Sequence, residues 1–238
     1  YQPLKITSIK KLYHFLHQKT MILQIFLSIV TIIIAIISHE IAHAWMAWYL
    51  GDDTAKKHGR LTFNPLKHID IFGSLFLPIL MFFSKSGIIF GWAKPVPVDY
   101  SKLKNKKRDF IFVSASGVLA NFALALISAI LLKISLLIPL NIISGILASF
   151  FLNMIFFNVL LGVFNLLPIP PLDGSKILLG WSDNKYIKKY INAERQGTLF
   201  LVIILFIVPV IIKFADININ PVATFIQQTT KALVTLLI

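Results

Sequence analysis

The sequence predicts an all-α, multi-span membrane protein: a helical bundle of about four to six transmembrane segments, one of them re-entrant, with a short β-hairpin or edge strand. Three observations carry that expectation. Hydrophobic residues make up 57% of the 238 and charged residues only 14%, too apolar for a soluble domain of this length. The mean hydropathy is +0.79. The apolar residues fall in long runs separated by short basic loops, and residues 134–172 contain no Asp, Glu, Lys or Arg.

Residues 1–20 form a basic N-terminal segment, with Lys5, Lys10, Lys11 and Lys19 and no acid. The apolar run behind it lacks a small-residue cleavage site, so no cleaved leader is expected. Residues 21–50 hold one formal charge, Glu40, and exceed the roughly 20 residues a helix needs to cross the hydrocarbon. Gly51-Asp52-Asp53 ends that run. Residues 69–98 are predicted to be a re-entrant and strand region. Within it the apolar stretch 69–83 is short and interrupted by Pro78, and 87–98 mixes β-branched and aromatic residues with Gly and Pro, as an extended edge segment does. The block Lys102, Lys104, Lys106, Lys107 and Arg108 precedes a span at 110–132, which Lys133 closes. A further span at 142–167 opens the segment 142–173, which ends at Asp173. After the polar, basic loop 174–195, residues 198–238 supply the C-terminal spans, 198–212 crossing and 222–238 lying in or on the bilayer. No repeat or appended soluble domain interrupts a single embedded domain, 1–238.

The formal charge of +13 does not indicate a nucleic-acid partner, because the cations sit in blocks beside apolar runs rather than on one polar face. They read as juxtamembrane anchors, and the lipid bilayer is the expected partner. The absence of cysteine excludes disulfides and thiolate-ligated metals, so any metal here must be held by His, Asp or Glu.

His39-Glu40-Ile41-Ala42-His43 meets that requirement. On a helix the two imidazoles leave one face a turn apart and can share a tetrahedral cation, while Glu40 beside them can take a proton from a metal-bound water. The five-residue pattern is weak in a soluble helix. In an uncharged apolar run it is stronger, since an unpartnered ionised group there costs roughly 2–3 kcal/mol or more. A catalytic zinc needs a third donor, and Asp173 is the leading candidate because it follows a charge-free span in a proline-rich turn before Gly174. Glu194 is the runner-up, though Lys188, Lys189 and Arg195 around it favour a solvated ion pair. His58 and His68 read as surface or supporting histidines. Asn121 and Asn158 read as interhelical hydrogen-bonding amides.

The match then widens to Gly51-Asp-Asp-Thr-Ala, Gly59-Arg-Leu-Thr-Phe-Asn-Pro65, His68-Ile-Asp70, Phe90-Gly-Trp-Ala-Lys-Pro-Val-Pro-Val98, Ser116-Gly-Val-Leu-Ala-Asn121 and Asn165 to Gly174. With these motifs the chain resembles the site-2 proteases, zinc intramembrane metallopeptidases, and in particular the compact bacterial and archaeal type without a PDZ domain. The resemblance implies that His39, His43 and Asp173 hold one zinc ion per chain, that Glu40 is the base, and that Asn165 assists at the scissile carbonyl. It implies cleavage in or near transmembrane segments of membrane protein substrates, by an integral multi-pass protein of a bacterial or archaeal cell membrane. Ser116 departs from the family, which often has proline there. The competing reading is a membrane metal-binding or metal-transporting protein with the same ligands.

Zinc ligands must meet at one depth. His39 and His43 lie late in their helix and Asp173 just past the end of its span, so the two helices are expected to run parallel, which requires 69–83 not to cross fully. Lysine counts then place 85–108 and 176–195 on the cytoplasmic side, with the metal near that face and the basic residues 1–20 in conflict with it. Residues 87–98 are expected to offer a strand edge to which an unwound substrate adds.

Overall fold

A computed structural model describes residues 21–76, 79, 91–139, 141–181, 185–186, 189, 197 and 221–238. The basic segment 1–20, residues 87–90, Glu194 and the expected span 198–212 lie outside them. The described residues form helices α1 (Met21–Tyr49), α2 (Thr54–Lys57), α3 (Arg108–Ser135), α4 (Ile142–Asn165), α5 (Asp173–Gly180) and α6 (Pro221–Leu237), with a 3-10 turn at Pro65–Lys67 and a π-helical turn at Ile71–Phe76. Three of these, α1, α3 and α4, are long and apolar enough to cross a membrane.

Each long helix starts or stops where local chemistry permits. α1 ends at Gly51, whose φ of 110° only glycine tolerates easily. Asp52 N–H reaches back to Ala47 O at 2.8 Å and Gly51 N–H to Trp48 O at 3.1 Å, the paired bonds that close a helix C-terminus. At the start of α3 the Asn105 side chain accepts Arg108 N–H at 3.1 Å while Asp109 accepts Asn105 N–H at 2.8 Å. Asn141 and Ser144 cap α4 reciprocally, each accepting the other's N–H at 2.9 Å.

The chain divides into two compact units. Among the described residues, the first takes α1 up to Ala35, α3 from Asn121, α4 up to Val163, and α6 from Val222. Its core joins Ala125, Ala129 and Leu132 of α3 to Ala148, Ile155, Val159 and Val163 of α4, with Ile226, Leu233 and Val234 of α6 packed against them. Two polar contacts set direction: Gln24 donates to Ser149 Oγ and, one turn on, Asn153 donates to Ser28 Oγ, both at 3.3 Å. Residue numbers rise together along α1 and α4, so the two helices run parallel, as the ligand argument requires. Asn121 Nδ2 bridges Ala35 O at 3.2 Å and Asn158 Oδ1 at 2.8 Å, and Asn158 donates onward to Met154 O, so these buried amides satisfy one another.

The second unit takes residues 36–120 and the described residues from Phe164 onward through α5. α1 and α3 are antiparallel in it, with His43 against Val113 and both histidines against Gly117. The chain between α1 and α3 therefore leaves and returns at one level. Of the stretch 69–83, Ile69 and Asp70 precede a π-helical turn at Ile71–Phe76 and, Ile79 apart, the remainder lies outside the described residues.

The expectation of a strand needs correction over residues 91–98, which form no strand; no strand occurs among the described residues. The reason is visible in the backbone bonds. Trp92 N–H goes to Gly73 O at 3.1 Å, Lys94 N–H to His68 O at 2.8 Å and Val96 N–H to the Glu40 carboxylate at 2.9 Å. On the opposite edge Pro95 and Pro97 have no N–H, so an added strand would find few donors there. The segment instead lays Val96 against Ala44 and Ala55, and Val98 against Ala47 and Leu103.

Candidate metal centre

All the residues that converge on the site belong to the second unit. His39 and His43 are a turn apart on α1, both under 10% exposed. Asp173 opens α5, 6% exposed, and is brought there by a loop that folds back on the end of α4. Gly174 permits that return: a Cβ on it would stand 2.1 Å from Leu166 O, so no side chain fits. Ser175 Oγ fastens the turn by donating to Leu172 O at 2.6 Å.

Three atoms meet. His39 Nε2 and His43 Nε2 are 3.0 Å apart, and Asp173 Oδ2 lies 3.1 Å from the first and 3.2 Å from the second. His43 Nδ1–H donates to Val113 O at 2.7 Å, so in the neutral ring Nε2 carries a lone pair. A proton on His39 Nε2 could serve only one of its two neighbours, and Asp173 Oδ2 is buried without a hydrogen bond. Converging lone pairs that cannot satisfy one another are what a cation resolves. Donors about 2.0–2.1 Å from a tetrahedral zinc stand about 3.3 Å apart, close to the triangle observed.

Around this triangle the fit is tight. Gly117 of α3 faces it so closely that a Cβ would lie 2.4 Å from His43 Nε2 and 2.6 Å from His39 Cε1. Ser116 Oγ donates to the same Val113 carbonyl at 2.7 Å and lies 3.4 Å from His43 Nδ1. Glu40 is half-buried, and its Oε2 accepts Val96 N–H at 2.9 Å.

The other candidates belong to separate elements. Asn165 closes α4, half-buried, before the loop that delivers Asp173. His58 is exposed at the end of α2, whereas His68 is 3% exposed and bonds through Nε2 to Thr62 O at 2.8 Å. Glu194 lies outside the described residues. Sequence reasoning missed the supporting parts: the Val113 carbonyl, the clearance at Gly117 and the Val96 N–H. One signal for Gly117 was present, since Val113, Gly117 and Asn121 recur every four residues and so share one face of α3.

Comparison with known proteins points to one family. The profile of Peptidase family M50 matches residues 139–210, which contain Asp173 but not the two histidines. Two relatives are each named "Putative zinc metalloprotease". YwhC of Bacillus subtilis is 36% identical over 184 residues, 76% of this chain and 80% of that protein. Rip2 of Mycolicibacterium smegmatis is 34% identical over 170 residues, 70% of this chain and 61% of that protein. No solved structure matches the chain.

Proposed function

The chain belongs to peptidase family M50, and on that premise we propose that this zinc metalloprotease is an intramembrane endopeptidase, cutting peptide bonds in or near transmembrane segments of other membrane proteins. The convergence of His39 Nε2, His43 Nε2 and Asp173 Oδ2 within 3.0–3.2 Å of one another carries the reading. Those three residues would hold the ion. When bound, zinc lowers the pKa of a coordinated water toward neutrality and polarises the scissile carbonyl.

The chain's own residues supply the rest. The Val113 carbonyl fixes the His43 ring and its tautomer. The Val96 N–H holds the Glu40 carboxylate, which accepts the proton of the attacking water and passes it to the leaving amine. The Asn165 amide orients the scissile carbonyl or its developing negative charge. Depth supports a membrane substrate. Trp45, Trp48 and Tyr49, all at least 41% exposed, form the aromatic end of α1 expected at an interface. His43 precedes Trp48 by five residues, about 7.5 Å along the helix, so cleavage falls just inside one face. The lysines of loop 50–107, against none in 136–141, favour the cytoplasmic face, while the basic residues 1–20 count against it.

Glu40→Gln tests the proposal in purified, detergent-solubilised protein. Zinc content should stay at one per chain while cleavage of a labelled transmembrane peptide falls to background. Cleavage at the wild-type rate would refute the assignment, and a metal-transport role would survive it.

A further inference from the structure

Arg60 is a buried cation, 7% exposed, and among the described residues it has no carboxylate partner. One of its guanidinium nitrogens bonds the main chain instead, while Nε is buried without a hydrogen-bond partner. Nη2 donates to Lys94 O at 2.6 Å and reaches Pro95 O at 3.4 Å. Pro95 C=O and Val96 N–H belong to one planar peptide group. The N–H end of that group donates to Glu40 Oε2 at 2.9 Å. One peptide plane thus has an arginine at its carbonyl end and the Glu40 carboxylate at its amide end. Such a relay polarises the peptide in the direction that strengthens its donation to a carboxylate.

The segment is stiff enough to transmit position. Pro95 and Pro97 flank Val96 with fixed φ. Lys94 N–H is pinned to His68 O at 2.8 Å, and Ser74 Oγ donates to Trp92 O at 2.8 Å. Val96 itself is buried against Ala44 and Ala55. Within this pinned segment Arg60 is the charged group that meets the carbonyl end of the peptide whose N–H reaches Glu40.

We propose that Arg60 is a positioning residue for the reaction, acting on Glu40 through the single Pro95–Val96 peptide group. The inference rests on the protease reading above, in which Glu40 is the base. The test uses the whole chain in detergent and, as probe, a fluorophore- and quencher-labelled apolar peptide of about 20 residues. Arg60→Ala should retain zinc and helicity, lower kcat by about 10- to 100-fold, and leave KM within about two-fold. Arg60→Lys, which keeps a cation and a donor, should recover part of the loss. In a Glu40→Asp background, where the shorter carboxylate is withdrawn from Val96 N–H, Arg60→Ala should have no further effect. An equal loss in both backgrounds, a loss confined to KM, or loss of zinc would overturn the proposal. If Arg60→Ala fails to fold, Arg60→Lys carries the same comparison. Unchanged cleavage by Glu40→Gln sinks the protease reading itself, whereas an inactive Glu40→Gln beside a fully active Arg60→Ala sinks only the relay.

Discussion

Gly117→Ala is the smallest change that should strip the metal. The added Cβ would stand 2.4 Å from His43 Nε2, 2.6 Å from His39 Cε1 and 2.7 Å from His43 Cε1, against ordinary contacts of 3.4–4 Å. Relief demands that the His43 ring or the helix bearing it retreat by about 1 Å, whereas metal sites tolerate ligand displacements of about 0.2 Å. Disturbing groups that merely support a ligand already weakens metal binding by about 10- to 100-fold, or about 1.4–2.7 kcal/mol, and here the ligand itself moves. A loss of at least 100-fold in zinc affinity is therefore expected, read by competition with a fluorescent chelator and by metal analysis of purified protein. The sign separates the clash from any effect on the helix, because alanine favours a helix interior over glycine by about 1 kcal/mol. Wild-type zinc affinity in a correctly helical Gly117→Ala protein would refute the reasoning.

Other perturbations follow from the same contacts. Gly174→Ala places a Cβ 2.1 Å from Leu166 O, so the loop that delivers Asp173 must open; we expect a stability loss of about 1–3 kcal/mol in denaturant titrations, together with reduced zinc content. Asn121→Ala removes donation to Ala35 O and Asn158 Oδ1. It should cost about 0.6–1.7 kcal/mol of stability in detergent, with zinc retained, and the Asn121→Ala/Asn158→Ala pair should cost less than the two single losses combined. Full additivity would mean that the two amides act independently.

Much of this protein is local and therefore readable along the chain. The three long helices appear within a few residues of the apolar runs that predict them, because apolar length and terminal caps are properties of contiguous sequence. His39 and His43 needed only the pitch of a helix to share a face. Asp173 stood out because it ends a long charge-free stretch, although its distance from the histidines could not be read there. The direction of α4 relative to α1 follows from contacts such as Gln24 with Ser149, between residues far apart in sequence. The segment 91–98 shows where local pattern misleads. Its residues suit a strand, yet its backbone donors are taken by His68 O, Gly73 O and a carboxylate, partners that no propensity encodes. The parts that hold the opening motif in working order were settled the same way. His39, Glu40 and His43 are a sequence fact, while the clearance at Gly117, the Val113 carbonyl on His43 and the Val96 N–H on Glu40 exist only once three distant stretches pack together. Helical periodicity acts over one turn, but a ligand's tautomer and a base's orientation depend on whichever backbone groups the tertiary fold brings within hydrogen-bonding distance.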